Sequence, residues 1–524
     1  MVREPISRRR FVLGAVAGGA AALLSACGQA AAPTTAPSKP AEAPKPTEAP
    51  KPAAAPTTAP ATAATKPAEA AKPTEAPKPA AEPTKPAAAA ATPVPAAKPA
   101  AAGAPTGAPV PALLRAGSGE EDYFNKAIDL FEQQTPGVKV TRIFVPGGNE
   151  YITKLDLMIA SGDPPAIYAP FSDRGYRYYA AKGLSQELDS FIKRDNVKLD
   201  DFSPDSLVGI KWKGVVMALP LDYWPYVTFY NRNMFKAAGL DDLPTDWDDK
   251  SWTTDKYQEL AVKLSKKSGD QVTEFGSAVY QKGWAAGRIF GGDWFASDIY
   301  DTGIAANWTG DTDARVAPSV QWSADLINKL HVSPTPAQQQ QVQAGAPNLF
   351  MSGKVGMQVS DIGALDRFSK IKDFDFGVGV PPQPPKGEKR RQHVWIDFWS
   401  MIKGTKNLEG SWQLMKFMVS AEGQKIYPLQ FGPLSSLLSL GPAWAEVQGK
   451  KFPKLSAKEF KVITDGPKYE VLDLENWTVN FSPINDQAIN PSLDKVYLGQ
   501  MTAVDAIKEM TPKVKKLIEE TKNV

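Results

Sequence analysis

Acidic and aromatic side chains stand next to one another at several points of this sequence, and that pairing has a definite chemistry. Asp222-Tyr223-Trp224 and Trp395-Ile396-Asp397-Phe398-Trp399 are the densest cases, with Gly283-Trp284 and Gly292-Asp293-Trp294 beside them. An aromatic face packs on C–H groups while a carboxylate accepts hydroxyl protons, so the combination suits reversible capture of a polyhydroxylated solute. Two carboxylates set across one bond would instead hydrolyse a glycoside. Other chemistries find little support. His331 and His393 are far apart, with no Cys or His partner at metal-ligand spacing, which argues against a transition-metal site. The sequence has no G-x-S-x-G elbow, no HExxH and no Walker glycine loop, and no cofactor is expected.

The single cysteine, Cys27, has a different use. Met1 to Arg10 is basic, and Phe11 to Leu24 is an apolar run too short to span a bilayer permanently; together they read as an export signal. Ser7-Arg8-Arg9-Arg10-Phe11 resembles the twin-arginine signals of the bacterial route for folded proteins. Leu24-Ser25-Ala26-Cys27 resembles a bacterial lipobox, in which the cysteine sulfur receives a diacylglyceryl group and becomes the first mature residue. The bland alternative is a cleaved signal with an incidental cysteine. Lipid on Cys27 would hold the chain at the outer face of the cytoplasmic membrane, since two or more acyl chains anchor stably.

Residues 28–111 are almost only Ala, Pro, Lys, Thr and Glu, with KPTEAPKPAA at 45–54 and again at 72–81. No aromatic residue interrupts this stretch, so it cannot bury enough apolar surface to order itself and is expected to be a disordered tether. At about 3.1 Å per residue its fully extended reach is on the order of 260 Å.

Every Trp and Tyr lies after the tether, in residues 112–524. That length exceeds the usual single core, so two domains are the default. A formal net charge of +3 makes no case for nucleic acid as partner. Strand and helix patterns alternate, the mark of an α/β fold. ALLRA (112–116), VKVTRIFV (138–145), AIYAP (166–170) and VTFYN (227–231) read as strands, and WKGVVMALP (212–220) as a strand around a Lys-Gly turn. Helices are expected at YFNKAIDLFEQQ, 149–162, 254–268, 314–330, 407–420, 485–499 and 502–521.

The order of these segments is similar to that of a known family. LFEQQTPGVKVTRIFVPGGNEYITKLDLMIASGDPPAIYA, GVVMALPLDYWPYVTFYNRNMFKAAGL, NLFMSGKVGMQVSDIGAL and FWSMIKGTKNLEGSWQLMKFMVSAEGQKIY follow one another as in the family 1 extracellular solute-binding proteins of bacterial ABC importers, which include maltose-type and other oligosaccharide receptors. The resemblance implies a two-lobe clamp of the periplasmic-binding-protein type (type II), with hinge crossings and the ligand between the lobes. It places lobe 1 at 112–226 plus 360–420 and lobe 2 at 227–359 plus 421–524. It implies a monomeric receptor, not an enzyme, whose partners are a carbohydrate and the importer's transmembrane subunits. A non-sugar solute or a sensor input remains the alternative.

The resemblance also orders the candidate contacts. Asp222, Tyr223 and Trp224 fall beside the crossing at Pro225-Tyr226, or form a packed turn stiffened by prolines. Trp395 and Asp397 stand where the family carries small residues near the cleft, while Trp399 begins a buried strand. Trp284 and Trp294 lie in a stretch that commonly supplies cleft tryptophans. Asp361, after the MQV strand, is a polar-turn contact or a helix cap. Asp173, after AIYA, is a contact at a strand's C-terminal end or an N-cap. Ser118 and Glu120, after the first strand, complete the set. Trp322 and Trp412 sit at helical spacing among apolar neighbours and are expected in the core.

Overall fold

One long strand organises the molecule. In the computed structural model the described residues are 107–524, except 118, 170–174, 281–282, 345, 386–387, 473, 475–477 and 524. The expected signal, Cys27 and the tether up to residue 106 lie outside them, as do Ser118 and Asp173; the last two residues assigned to the tether, Val110 and Pro111, instead open the first strand, where Val110 is buried. The first strands are β1 (Val110–Ala116), β2 (Val140–Pro146) and β3 (Ile167–Tyr168), with β1 between the other two and parallel to both. Val110, Ala112, Leu113 and Leu114 are all buried, as parallel strands covered on both faces require. Helix Glu120–Gln134 covers this sheet through Phe124, Ala127, Ile128 and Phe131, an i, i+3, i+4, i+7 stripe.

The strands β4 (Lys211–Trp212) and β5 (Val215–Val216) form a small hairpin, turned by Lys213 and Gly214 with φ of 50° and 84°. Positive φ at both turn residues matches the twist of the flanking strands. Next comes β6 (Ala218–Asn231), buried along almost its whole length. Its first half pairs antiparallel with β11 (Gln392–Met401), from Ala218 opposite Ser400 to Pro225 opposite Val394. From Tyr226 onward the partner is β9 (Val355–Asp361), which runs parallel to β8 (Gln271–Ser277). The sheet therefore follows the order β2-β1-β3-β11-β6-β9-β8-β7, where β7 is Lys266–Ser268. The strand β6 thus joins the two halves of this sheet, and it changes partner at Pro225-Tyr226.

Three expectations need correction. The helix expected over 254–268 stops at Leu264, where the Ser265 hydroxyl donates to the Ala261 carbonyl at 2.8 Å. Lys266–Ser268 instead pair with β8 around Gly269, whose φ is +61°. In the range assigned to lobe 1, β10 (Phe376–Gly379) pairs with the second half of β6, on the far side of the crossing. In the range assigned to lobe 2, β12 (Leu434–Ser435) pairs with Tyr223 and Asp222 on the near side. The chain crosses later than expected on both occasions, because backbone pairing and not sequence distance decides the side. The last strand, β13 (Glu470–Leu472), runs parallel to the start of β11.

Candidate ligand-binding cleft

The two densest acid–aromatic clusters meet across this crossing. Asp222 lies opposite Asp397 and Trp224 opposite Trp395 in the β6–β11 ladder. Alternation along a strand puts 222, 224 and 226 on one face of β6 and 393, 395 and 397 on one face of β11. The register is regular up to this pair of acids and slips just beyond it, where a bulge leaves Leu221 unpaired between Asp222 and Pro220.

Each acid holds the indole two residues away. Trp224 Nε1 donates to Asp222 Oδ1 at 2.9 Å, and Trp395 Nε1 donates to Asp397 Oδ1 at 2.8 Å. Both tryptophans are half-buried. The remaining acid oxygens turn inward to Arg115, near the end of β1. Its Nη1 donates to Asp397 Oδ2, and its Nη2 lies 3.1 Å from Glu120 Oε1 and 3.5 Å from Asp222 Oδ2. The same Nη2 donates to the Tyr427 hydroxyl at 2.6 Å, which stands 3.0 Å from Asp222 Oδ2 and 3.1 Å from Glu120 Oε1. Asp222 and Asp397 are completely buried. Burial pushes the Asp222 carboxyl well above the usual range, the adjacent Asp397 adds to this, and Arg115 opposes it. Burial alone would lower the Arg115 pKa, yet Asp397, Glu120, Tyr427 and Asp222 together drive it well above its ordinary value.

Contrary to expectation, Asp222, Asp397 and Glu120 turn carboxylate oxygens to the buried Arg115 and not to a solute; Asp222 and Asp397 also fix the two half-buried indoles, while Glu120 holds Arg115 and Tyr427. Tyr223 points to the opposite face of β6, fully buried, with its hydroxyl donating to Ser206 Oγ at 3.0 Å. Strand alternation sends it into the core. Trp294 is also core: it has no exposed surface, stacks on Trp308 at 5.5 Å and donates its indole proton to the Trp284 carbonyl. Gly287 makes room for it, since a Cβ there would come within 2.5 Å of the ring. Trp322, Trp399 and Trp412 are buried as expected.

A second rung lies one step along the strands. His393 meets Tyr226 edge-on with ring centres 5.1 Å apart, and Trp284 packs behind His393 at 5.1 Å. Trp284 is only 6 % exposed, so it supports this rung and offers little surface of its own. Asp361 pairs with Tyr226 in the β9 ladder and folds back to accept the Gly363 N–H at 2.8 Å, a local turn and not the expected helix cap, since the helix that follows has Gly363 at its N-cap and no side-chain cap. Burial raises its pKa. A Cβ on Gly363 would stand 2.8 Å from the Trp224 ring, so glycine is needed for that indole to lie where it does. Tyr226 and His393, with Arg288 and Arg391, line a depression of about 530 Å³, open solvent at its mouth included. Arg391 also borders a neighbouring depression with Asp293, Tyr300 and Arg315.

Arg115, Tyr427, Tyr226, His393 and Arg391 escaped sequence reasoning. Arg115 alone left a signal, as a lone cation inside the apolar run LLRA. Among the described residues no group of three or more His, Cys, Asp or Glu is arranged to hold a metal ion, and no helix is long and apolar enough to cross a membrane.

Residues 116–425 match the family profile described as bacterial extracellular solute-binding protein. The chain belongs to this family. Among curated members, a binding protein of Brucella abortus (strain 2308) is 25% identical over 308 residues, covering 56% of this chain and 68% of its own. The maltooligosaccharide ABC transporter solute-binding lipoprotein of Streptococcus pneumoniae (strain R6) is 24% identical over 319 residues, covering 59% of this chain and 68% of its own. Among solved structures, the ABC substrate-binding protein of Listeria monocytogenes in complex with cycloalternan superposes with a TM-score of 0.64 at 20% identity, covering 78% of this chain and 99% of that one. Maltose-bound MalE3 of T. maritima gives a TM-score of 0.58 at 18% identity, covering 78% and 99%. These superpositions show that the fold is that of the two-lobe solute-binding proteins.

Proposed function

We propose that this family member is a lipid-anchored extracellular receptor that closes on a carbohydrate, an oligosaccharide by preference, and presents it to the membrane subunits of an ABC importer. The observation that carries this reading is the pair of half-buried indoles, Trp224 and Trp395, side by side on the crossing strands and each locked by a buried carboxylate. Rings fixed at one angle stack on sugar C–H faces with little loss of side-chain entropy. The solutes printed for the Streptococcus, Listeria and T. maritima relatives, a maltooligosaccharide, cycloalternan and maltose, support the same class.

On this reading lobe 1 comprises β1, β2, β3, β11, β12 and the first half of β6. Lobe 2 comprises the rest of β6 with β7 to β10. Closure bends the crossing near Pro225-Tyr226. Lipid on Cys27 and the Pro/Ala-rich tether keep a monomeric receptor near its importer and raise its effective concentration there. Hydrolysis is disfavoured: the two acids that would perform it are shut away from solvent and share one guanidinium.

Thermal unfolding of the purified protein against mono- and oligosaccharides tests the proposal, with amino acids and polyamines as contrast. A solute at 100 times its dissociation constant should add about 2.7 kcal/mol of stability. A rise with one saccharide class, without product by mass spectrometry, is expected. Product formation, or a response to the contrast set alone, would overturn it.

A further inference from the structure

We infer that the cleft is built for a saccharide that carries an anionic oxygen group, a carboxylate or a phosphate, and that Arg391 binds that group. The inference rests on the receptor reading above and specifies its substrate class.

The depression next to the tryptophan pair is lined by two guanidiniums, Arg288 and Arg391, together with His393, Tyr226 and Tyr280, and, among the described residues, by no carboxylate. The two cations differ in what already engages them. Arg288 is buried, donates to the Tyr300 hydroxyl at 2.6 Å and lies 3.5 Å from Asp293 Oδ2, so a neighbour largely answers its charge. Arg391 is exposed and, among the described residues, has neither a hydrogen bond nor an ion pair of its own. It stands at the join between this depression and the neighbouring one, and the Tyr226–His393 rung that borders the first lies next to the Trp224–Trp395 rung on the same two strands.

The surrounding acids do not cancel it. Asp293 is engaged by Arg288 and accepts from the Tyr300 hydroxyl at 2.5 Å. Asp313 pairs with Arg315 at 2.8 Å, and Asp361 is turned onto the Gly363 N–H. The Asp205 carboxyl and the Tyr300 hydroxyl both feel the charge of Arg391, and among the described residues neither is bonded to it. A neutral sugar would gain hydroxyl bonds from a guanidinium, but a carboxylate or phosphate takes two parallel N–H donors at once, with roughly twice the strength per bond. His393 lines the same space. The apolar and cationic parts thus make one site with two ends: indoles for the sugar ring, Arg391 for the charge.

The test titrates the full protein at low and high salt with matched pairs: α-1,4-galactotriose against trigalacturonate, and glucose against glucuronate and glucose 6-phosphate. Inorganic phosphate alone controls for unspecific anion binding. The expected result is at least about tenfold tighter binding of one charged partner than of its neutral match, narrowing with salt. Arg391→Ala should remove that difference, and Arg391→Lys should restore part of it. Uronates and phosphates are separated by which arm responds. Neutral saccharides binding as tightly as charged ones, with Arg391→Ala indifferent, would overturn this inference and leave the receptor reading standing. Silence to every saccharide, charged or neutral, would overturn both. Inorganic phosphate binding as tightly as the sugar acids would also overturn it, since no saccharide would then be recognised.

Discussion

Replacing Arg115 by methionine takes away the cation shared by three buried carboxylates, and the outcome follows from that geometry. Asp397 and Glu120 lose a charge partner outright, and Asp222 loses one at 3.5 Å. Removing one side of a buried ion pair costs about 3–5 kcal/mol, because the remaining charge has neither water nor partner. The cluster can relieve part of this by binding protons, so the cost depends on pH. A buried carboxyl whose folded pKa is raised stabilises the fold below its unfolded value of about 3.9 and loses that contribution as pH rises through the raised value. Arg115→Met should therefore lose the full amount near pH 8 and less near pH 5. Denaturant unfolding followed by tryptophan fluorescence measures both. Adding Asp397→Leu should return part of the loss at pH 8, since an apolar pair is often as stable as a buried ionic one. A loss below about 1 kcal/mol at pH 8, or no recovery in the double variant, would refute the view that these charges hold one another.

Asp222→Asn should remove the decline in stability that the raised Asp222 pKa produces as pH climbs from about 4, flattening the wild-type profile in a pH-resolved melt. Trp224→Ala should weaken saccharide binding by roughly tenfold or more while the melting temperature without ligand changes little, as a truncated hot-spot ring does; calorimetry and thermal melts separate the two effects. Trp294→Ala, by contrast, should cost about 3–5 kcal/mol in denaturant unfolding, because it empties a fully buried site stacked on Trp308.

The sequence was legible where periodicity or local chemistry decides. The stripe of Phe124, Ala127, Ile128 and Phe131 announces its helix, and VTFYN ends where Asn231 caps the next helix through its bond from the Met234 N–H. The two acid–aromatic clusters were visible as candidates, but not as neighbours: the ladder that sets Trp224 against Trp395 joins residues 171 positions apart. The acids' role depended on Arg115, brought from another strand, and on Tyr427, over 300 residues from Glu120. Residue type gave an aromatic–carboxylate pair; only the fold decides whether the carboxylate faces solute or core. Tyr223 failed for a simpler reason, since its neighbours on the same strand already occupy the cleft face. Trp294 shares a Gly-rich stretch with Trp284, and nothing local distinguishes a tryptophan stacked in the core from one beside the cleft.

In the proposed receptor, saccharide binds against Trp224 and Trp395. Calorimetric titration of the protein, beside Trp224→Ala and Trp395→Ala, with whichever saccharide raises the melting temperature most, tests this directly. The expected result is one site per chain, a negative heat-capacity change as the rings are covered, and a loss of roughly tenfold or more in each variant. Unchanged affinity in both variants, with both still folded, would place the ligand elsewhere and contradict it.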